Sequence, residues 1–578
     1  MTVATDPQAA ASNPPTDRSG LDAAVAALQE RKAAWTVVAP RERIAILEEI
    51  TRDFSALSAR WAVACIEAEG LDPELGHAEE VLVGPYFVVR NLRLLRLALE
   101  DIATHGRPRI PGSVRTRPDG QVTARIFPYD IWDRIFYAGV TADVWMKPGV
   151  SEASLPSTQA VAYHAEPRGG GVALVLGGGN VSSIGPMDAL YKLFVEDRVV
   201  LYKAHPVNAY LGPLLEEGFK ALSSRGFFKV VYGGAEEGAY LCQHPGVDEI
   251  HITGSDRTYE AIVFGPGEEG RRRKERHEPL LIKRVTAELG NVSPVIVVPG
   301  PAGSWTPADL RYQAENLVTM LVNNAGFNCN AARVIVQHAS SPQREDLLAA
   351  MRALLKEIPL RRAWYPGAAE RWTAFTAAHP EAERFGERTG DLLPWMLIHG
   401  LNPQDREDIC YTTEAFCGVF AETPIAAASV PEYLERAIAF ANETLWGTLN
   451  ATLIVHPAAL ANRAMRQAVE KAIADLRYGT VAVNHWAAIG YGLVITPWGA
   501  FPGHPPHDIQ SGTGVVHNTL MFDKAQKSVV RAPFRVTPKP VWFATHKTAH
   551  KLTPKLVAFE ADPSFAKLPG IFAHALRG

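Results

Sequence analysis

Short apolar runs alternate with helix-like stretches between residues 171 and 255. The runs are GVALVLGGG (171–179), VVLYKAH (199–205), FKVVYGG (228–234) and EIHITGS (249–255). Strand–helix alternation of this kind predicts βαβ units and a parallel sheet that is covered by helices on both faces. A second α/β series runs from 331 to about 500. A chain of 578 residues is too long to fold around a single hydrophobic core, so we expect two or three structural units.

The segments that flank these two series have other patterns. Residues 21–104 place Ala, Leu, Ile and Val at spacings of three and four, which predicts helices. Residues 105–165 combine Pro, Gly, Tyr and Trp with short β-type runs, which predicts hairpins or an irregular insertion. The first twenty residues are polar and predict a flexible tail. The last sixty are rich in Lys, Pro, Thr and aromatic residues and predict an irregular or edge-strand extension.

Composition argues against several classes of partner. The net charge of −4 gives no reason to expect a nucleic acid or an anionic membrane surface as partner. We find no apolar run of roughly 18 residues, so a membrane-spanning helix is not expected. The five cysteines lie far apart without a CxxC pair, which argues against a disulfide framework and a structural zinc site. This cysteine usage is typical of a reduced, cytoplasmic protein.

The segment LGGGNVSSIG follows the first apolar run. Glycines at a strand end let the backbone approach a ligand phosphate, and the next helix N-terminus favours an anion. The pattern differs from a GxGxxG fingerprint, because Ser182 stands where the third glycine belongs. Taken alone, the segment favours a tight turn between strand and helix over a phosphate-binding loop.

Two further residues are candidates for catalysis. Cys329 lies in VNNAGFNCNAARVIV, a small-residue polar stretch between a predicted helix and a predicted strand. A catalytic thiolate needs partial access and donors that favour the anion, but a buried, inert thiol fits the local sequence equally well. Glu288 in TAELGNVSP is either a general base or a solvent-facing strand residue.

Two clusters point to a ligand less strongly. The basic run 271–284 predicts a solvated loop, with a contact to a phosphate-bearing group such as coenzyme A as the alternative. His504, His507 and Asp508 could bind a metal, but they lie in a loop without further ligands, so we expect no metal site.

The order of these motifs resembles the aldehyde dehydrogenase superfamily over residues 20–520. The resemblance rests on LGGGNVSSIG, VVLYKAHPVN, EIHITGSDRT, RVTAELGNVSPVIV, AGFNCNAARV and TEAFCGVFAET, and the segment WGTLNATLIVHP and a late GxxxFPG…SGTG pattern also fit. It implies two Rossmann-like α/β domains plus a small β oligomerisation element. The implied divisions are a tail (1–20), a cofactor-binding domain (21–286) with a β-rich insertion at about 105–165, a catalytic domain (287–500) and a C-terminal extension or oligomerisation segment (501–578).

The resemblance also assigns roles to individual residues. It implies that Cys329 is the nucleophile, Glu288 the general base and Asn180 the oxyanion donor. It implies that a nicotinamide cofactor is bound by eight residues: Gly177, Gly178, Lys203, His205, Ser255, Gly290, Glu414 and Phe416.

The implied chemistry is oxidation of a small-molecule aldehyde to an acid with NAD or NADP. The Cys329 thiolate forms a thiohemiacetal and then a thioester, which water hydrolyses with Glu288 as base. Asn180 and the Cys329 backbone N–H hold the oxyanion. Family members are usually homodimers or homotetramers that pair strands across subunits. Trp486 and Trp498 fall near the family's substrate funnel, where simple packing is an equal alternative.

Several positions depart from the family pattern. Pro206 stands where a glutamate usually binds the adenosine ribose. A carboxylate there would repel a 2′-phosphate, so its absence permits NADP, and His205 could help to bind the phosphate. These features lean towards NADP and leave NAD open. Tyr259 replaces a usual glycine, Arg333 is one position nearer to the nucleophile than expected, and Cys417-Gly418 replace Gly-Pro.

Three alternatives remain at this stage. A CoA-acylating aldehyde dehydrogenase or acyl-CoA reductase would resolve the thioester with CoA, although the retained Glu288 favours water. A non-catalytic scaffold would keep only the fold, against which the intact set of polar residues argues. A cysteine hydrolase would need a histidine at a nucleophile elbow, and no such motif is recognisable.

Overall fold

The computed structural model describes residues 13–165 and 169–578. Most of the predicted N-terminal tail, residues 1–12, lies outside the described residues. The amide of Asn13 donates to the Ala209 carbonyl at 3.0 Å, and the Asp17 carboxylate caps the first helix by accepting from the Gly20 N–H at 2.8 Å. The end of the predicted tail is therefore fixed to the body of the protein.

The first part of the chain is helical and then forms three strands. The predictions of helices over 21–104 and of hairpins in 105–165 are confirmed. A π-helical turn, Leu82–Tyr86, contains Pro85 and separates the third helix from the fourth. The elements are α1 (Arg18–Thr36), α2 (Pro40–Glu69), α3 (Pro73–Val81), α4 (Phe87–His105), β1 (Val114–Thr116), β2 (Val122–Phe127), α5 (Ile131–Phe136), β3 (Thr141–Met146) and α6 (Val161–His164).

The next part of the chain alternates strands and helices as predicted. The basic run expected in a loop from residue 271 begins instead in a helix, α12, because Glu268 and Glu269 pair with its arginines one turn away. The elements are β4 (Val172–Leu176), α7 (Ile184–Phe194), β5 (Val199–Lys203), α8 (Gly212–Gly218), α9 (Lys220–Ser223), β6 (Phe228–Val231), α10 (Ala235–Gln243), β7 (Glu249–Gly254), α11 (Asp256–Phe264), α12 (Gly267–Glu275) and β8 (Arg284–Leu289).

The remaining chain holds the second α/β series and the C-terminal helices. Its elements are β9 (Ser293–Val298), α13 (Pro307–Val322), β10 (Ala332–His338), α14 (Gln343–Glu357), α15 (Ala368–Ala378), β11 (Glu383–Phe385), β12 (Trp395–Ile398), α16 (Ile409–Thr412), β13 (Val419–Ile425), α17 (Val430–Glu443), β14 (Asn450–Val455), α18 (Arg463–Asp475), β15 (Thr480–Val483), α19 (Ile489–Gly492), β16 (Pro497–Trp498), β17 (Gly512–Thr513), β18 (Val516–His517), β19 (Ala525–Arg531), α20 (Ala549–Ala561) and α21 (Leu568–Ala575).

Two large sheets organise these elements. The first has the order β17-β8-β7-β4-β5-β6, in which all pairs are parallel except β17 with β8. Strand β4 is central, and its carboxyl end opens into the glycine segment that follows Leu176. Because parallel strands present their carboxyl ends at one edge, the loops after β4, β5 and β7 meet there.

The second sheet has the order β1-β2-β3-β19-β15-β14-β9-β10-β13-β12-β11. Its centre is parallel, and β19 joins it to the antiparallel β1–β3. The small β element thus continues this chain's own second sheet. The first sheet extends through β8 to Leu289, beyond the expected boundary at 286; the division into domains stays a prediction.

The prediction for the last sixty residues is wrong. Strand β19 lies inside the second sheet, between β15 and β3, and residues 549–575 form two helices. Leu552, Val557 and Phe559 bury one face of α20. Pro554 and the lysines around it obscured this helical pattern in the sequence, because proline normally ends a helix.

Helix α20 is held to α4 by buried charges. Glu560 accepts from Arg90 at 2.7 Å and from Arg93 at 2.5 Å, and Arg90 also donates to Asp133 at 2.8 Å. All four residues are buried. Removing one member of such a group leaves a buried charge without its partner, so the contact ties the C-terminus firmly to the N-terminal helices.

Among residues 13–165 and 169–578, none of the helices combines the length and the apolar character needed to cross a bilayer.

Candidate active site

The glycine segment after β4 passes very close to the loop after β5. A Cβ atom placed on Gly179 would lie 2.3 Å from Nδ1 of His205, so no side chain fits there. The next residue, Asn180, is hydrogen-bonded to the loop that precedes Cys329, residues 323–328, which we call the nucleophile loop. Its Nδ2 donates to the Phe327 carbonyl at 2.7 Å, and its own carbonyl accepts from Asn324 Nδ2 at 2.6 Å.

The loop before Cys329 has a strained left-handed backbone. Asn324, Ala325 and Gly326 have φ values of 51°, 50° and 84°. A Cβ atom on Gly326 would lie 2.5 Å from the Cys417 carbonyl, which explains the glycine. The buried Arg333 donates to the carbonyls of Gly326 at 2.6 Å and Cys417 at 2.8 Å, and so fastens the two loops together.

Cys329 differs from the other four cysteines in its exposure. The other four are buried, whereas Cys329 is partly exposed. Burial of its sulfur and the nearby carboxylates of Glu288 and Glu414 raise the pKa of its thiol well above the ordinary value. The thiol therefore needs a base, or a nearby positive charge, to become a nucleophile.

Glu288 is the base that lies next to this thiol. It stands near the end of β8 and its side chain is buried. Burial raises its pKa to about 8, and the neighbouring Cys329 thiol and Trp498 indole only partly offset this effect. Its buried Oε1 has no hydrogen-bond partner among the described residues, so this oxygen is available for a water or a substrate proton.

A cavity of about 1150 Å³ lies at the carboxyl edge of the first sheet. It brings together the eleven residues to which the resemblance assigns a catalytic or cofactor-binding role. Its lining includes Gly177, Gly178, Asn180, Lys203, His205, Ser255, Glu288, Gly290, Cys329, Glu414 and Phe416.

Lys203 and His205 lie side by side at one part of this cavity. Lys203 Nζ donates to the Gly233 carbonyl at 2.6 Å, and burial lowers its pKa to about 8. Burial and the charge of Lys203 lower the pKa of His205 to about 4, so this histidine is neutral at pH 7. Its Nδ1 accepts from the Val207 N–H at 3.2 Å. A neutral ring gives a 2′-phosphate no counter-charge, which removes one reason for the NADP preference.

Glu414 and Phe416 lie at another part of the cavity. A Cβ atom on Gly290 would lie 2.0 Å from Glu414 Oε2, so the glycine makes room for this carboxylate. Burial raises the pKa of Glu414 to about 7, and its Oε1 has no partner in the described part of the chain. Phe416 has a left-handed φ of 41° and is held by Arg371, which donates to its carbonyl at 3.1 Å.

Several residues that build the site were not predicted. Glu79 of α3 accepts from Asn323 Nδ2 at 3.1 Å and from the Asn324 N–H at 3.3 Å, and pairs with Arg361. It thereby supports the nucleophile loop from a helix more than two hundred residues away in sequence. Its surroundings, GHAEEVL, are those of an ordinary helix, so no sequence pattern marks it. Arg333 was noticed only for its spacing.

A second cavity, of about 440 Å³, also reaches Cys329. Its lining is largely aliphatic and aromatic, including Val181, Ile184, Tyr491 and Trp542. Cys329 borders both cavities, whereas Glu288 and Glu414 line only the first. Trp486, expected near a substrate funnel, lines the second cavity and donates to the Asn330 carbonyl at 2.6 Å, while Trp498 is fully buried.

Comparison with known proteins agrees with this arrangement. Residues 149–369 match the model of the aldehyde dehydrogenase family. Over this segment the chain is similar to the aldehyde dehydrogenase family. The matched segment, residues 149–369, contains Asn180, Glu288 and Cys329, and ends before Glu414.

Similarity to curated aldehyde dehydrogenases is local. The chain is 27% identical over 164 residues to 4-trimethylaminobutyraldehyde dehydrogenase A of Danio rerio, covering 28% of each protein. It is 31% identical over 140 residues to 4-trimethylaminobutyraldehyde dehydrogenase of Homo sapiens, covering 24% of each. The aligned part thus spans about a quarter of the length of these curated relatives.

Similarity of fold extends over most of the chain. The NAD-dependent aldehyde dehydrogenase of Sinorhizobium meliloti has a TM-score of 0.58 at 17% identity, covering 91% of this chain and 89% of that one. The aldehyde dehydrogenase of Mycobacterium tuberculosis complexed with NAD+ has a TM-score of 0.60 at 17% identity, with coverages of 91% and 92%. These neighbours establish the mixed α/β aldehyde dehydrogenase fold.

Proposed function

We propose that this protein oxidises an aldehyde to a carboxylic acid with NAD+ or NADP+, using Cys329 as nucleophile. The observation that carries the proposal is that Cys329 borders both cavities. A nucleophile at that junction can hold a substrate that enters from one cavity next to a cofactor in the other. The match of residues 149–369 to the aldehyde dehydrogenase family supports aldehyde oxidation as the general reaction.

The larger cavity fits a nicotinamide dinucleotide. Gly179 and Gly290 allow His205 and Glu414 to approach the backbone at the edge of this cavity, and Glu414 Oε1 is a buried acceptor for a ribose hydroxyl. Ser255 caps α11, whose N-terminus favours a phosphate. Lys203 and Glu414 would hold the two riboses, and Phe416 would pack beside the nicotinamide. When bound, the cofactor supplies the oxidation, because its ring accepts the hydride that leaves the substrate carbon.

The choice between the two nicotinamide cofactors depends on the surroundings of residue 206. Pro206 places no carboxylate there that would repel a 2′-phosphate, which favours acceptance of NADP. His205 is neutral at pH 7, so Lys203 is the nearby cation. We propose that both cofactors are accepted. Residue 206 carries no carboxylate that would repel a 2′-phosphate, and Lys203 already donates to the Gly233 carbonyl and is not dedicated to binding a phosphate.

The first chemical step is attack on the aldehyde carbon. Glu288 takes the proton of the Cys329 thiol, and the sulfur adds to the carbonyl. The oxyanion would be held by Asn180 Nδ2 and the Cys329 backbone N–H. Asn180 Nδ2 already donates one hydrogen to Phe327, and an amide has a second hydrogen to give. This arrangement orients the amide before substrate arrives.

The second step is release of the acid. Loss of hydride from the thiohemiacetal carbon leaves a thioester on Cys329. Glu288 first releases the thiol proton to solvent, and its carboxylate, whose buried Oε1 has no partner in the described structure, then takes a proton from an attacking water. The water oxygen bonds to the carbonyl carbon, the C–S bond breaks, and the thiolate returns.

A panel of aldehydes assayed with NAD+ and NADP+, with and without CoA, tests this function. We expect reduced cofactor and free carboxylic acid to form without CoA, identified by absorbance and by product analysis. Turnover that requires CoA and yields an acyl-CoA would replace the hydrolytic function by the CoA-acylating one. Lack of turnover with every aldehyde and both cofactors would favour a non-catalytic scaffold.

A further inference from the structure

Two of the parts of the chain that line the second cavity lie far apart in sequence and differ in kind. One part is the catalytic segment, which contributes Val181, Ile184 and Cys329. The other part is the C-terminal cap, which we define as residues 532–578. The cap contributes Trp542, Leu552, Leu556, Ile571, Phe572 and Ala575. The cavity therefore extends from the nucleophile to the last two helices of the chain.

The cap is firmly built into the fold. Glu560 binds the buried Arg90 and Arg93 of α4. Aromatic contacts add to this: Phe559 packs edge-on against Phe136 at 4.9 Å between ring centroids. The π-helical turn Leu82–Tyr86 packs against α20 and also lines the cavity. A wall held this way can select a substrate by shape.

The polar side chains of the lining are mostly occupied by the protein itself. Arg535 pairs with Asp309 at 3.2 Å, Lys539 donates to Thr545 at 3.2 Å, and His485 bonds to the Trp486 carbonyl at 2.9 Å. Asn330 Oδ1 lacks a partner in the described structure and offers an acceptor next to Cys329 in sequence. None of the described lining residues is acidic. The two cations of the lining, Arg535 and Lys539, are paired with Asp309 and Glu315. The described lining thus offers neither an acid for a cationic tail nor an unpaired Arg or Lys for an anionic one, and it has few polar groups for a polyhydroxylated tail.

We propose that the cap closes the substrate pocket and selects aldehydes with an unbranched, apolar tail of medium length. The inference rests on the proposed function, because the tail must belong to a substrate whose carbonyl reaches Cys329. The volume of about 440 Å³ lies in the range of small-molecule sites. Apolar burial has no directional requirement, so each methylene that enters adds binding until the pocket is full.

Chain-length dependence tests the proposal. With saturating cofactor, kcat/KM should rise about fourfold per methylene from propanal towards octanal, on the order of 10³-fold in total. Succinic semialdehyde, with a charged tail of similar length to pentanal, should be at least tenfold poorer than pentanal. A flat series, or equal use of succinic semialdehyde, would overturn the proposal.

A matched pair of variants locates the effect in the cap. Leu556 lines the cavity, whereas Leu576 is 70% exposed and lies outside it. Leu556→Trp should lower kcat/KM for octanal at least tenfold and leave propanal within twofold of wild type, while Leu576→Trp should change neither. Leu556→Ala, which enlarges the pocket, should move the optimum to a longer aldehyde. Equal losses for propanal and octanal in Leu556→Trp together with an unmoved optimum in Leu556→Ala would overturn the role of the cap.

A binding measurement separates this inference from the proposed function. Octanamide cannot be oxidised, and its binding to the Cys329→Ala protein can be followed by fluorescence of Trp486 and Trp542, which line the cavity. We expect it to bind at least tenfold more tightly than succinamic acid, and Leu556→Trp to abolish the difference. If octanamide binds more tightly than succinamic acid while no aldehyde is oxidised, the proposed function is wrong, whereas the inference of an apolar pocket is supported. If aldehydes are oxidised but octanamide has no advantage, the pocket inference fails.

Discussion

The two cavities that meet at Cys329 are built in opposite ways. The cofactor cavity is lined by loops at the carboxyl edge of the first sheet and contains glycines, two buried glutamates and a lysine. The second cavity is lined by helices and the cap and is mainly apolar. Most residues of the first come from the matched segment, 149–369, whereas the cap lies outside it. Under the proposed function, the chemistry and the substrate choice would reside in separate parts of the chain.

Cys329→Ala should have the largest effect, because it removes the thiol that borders both cavities. We expect the rate of cofactor reduction to fall on the order of 10⁴-fold or more. Cys410→Ala is the matched control, since Cys410 is buried and lines neither cavity. A near-normal kcat in Cys329→Ala would contradict the role of Cys329 as the nucleophile at the meeting point of the two cavities.

Glu560→Ala should destabilise the protein by about 3 kcal/mol, because the buried Arg90 and Arg93 would lose the carboxylate that they share and keep only Asp133 and Asp130. Glu470→Ala provides the comparison: its pair with Arg531 is half exposed and should contribute no more than about 1 kcal/mol. Denaturant unfolding measures both. Equal stability of the two variants would mean that the cap is not an integral wall.

Asn180→Ala should lower kcat about 10²–10³-fold, equivalent to roughly 2.7–4 kcal/mol of transition-state stabilisation. The effect should fall on acylation and be of similar size for propanal and octanal, because Asn180 belongs to the cofactor side. Steady-state kinetics with both aldehydes provides the measurement. A loss confined to long aldehydes would place Asn180 in tail recognition instead.

The pH profile should show the smallest effect. Since burial raises the pKa of Glu288 to about 8, its basic form falls roughly tenfold for each pH unit below 8. Hydrolysis of the thioester should therefore speed up from pH 6 to pH 8 and level off above. Stopped-flow measurement of the deacylation rate checks this, and a flat profile over that range would exclude Glu288 as the base.

Much of the fold followed from local pattern. The apolar runs before Gly177 and His205 are nearly continuous, without alternation of apolar and polar residues, and they are bounded by glycine or polar residues. Parallel strands that are buried on both faces have this pattern. The two C-terminal helices were missed, since Pro554 interrupts the pattern of α20 and its key partner, Arg90, is 470 residues away. A single sequence has no means of pairing such distant charges.

The residues of the candidate site likewise fall into two groups, those that a local sequence motif revealed and those that it did not. Asn180, Glu288 and Cys329 were found because each stands in a motif of the resembled superfamily. Glu79 and the cap residues Leu556 and Phe572 stand in ordinary helical sequence, and only the packing of the chain brings them to the site. The possible role of His205 in phosphate binding was inferred from residue type, and the surroundings that keep it neutral could not be foreseen.

The central claim is that Cys329 carries the substrate as a thioester at the junction of the two cavities. Mass spectrometry of a rapidly quenched reaction of Glu288→Gln with octanal and NAD+ or NADP+ tests it most directly, since this variant should deacylate slowly. Removing the carboxylate that raises the pKa of the Cys329 thiol also lets the thiolate form without this base, so acylation can still proceed. We predict that the peptide containing Cys329 gains the mass of an octanoyl group in step with formation of one equivalent of reduced cofactor. Cofactor reduction without acylation of Cys329, or acylation of another cysteine, would contradict the account.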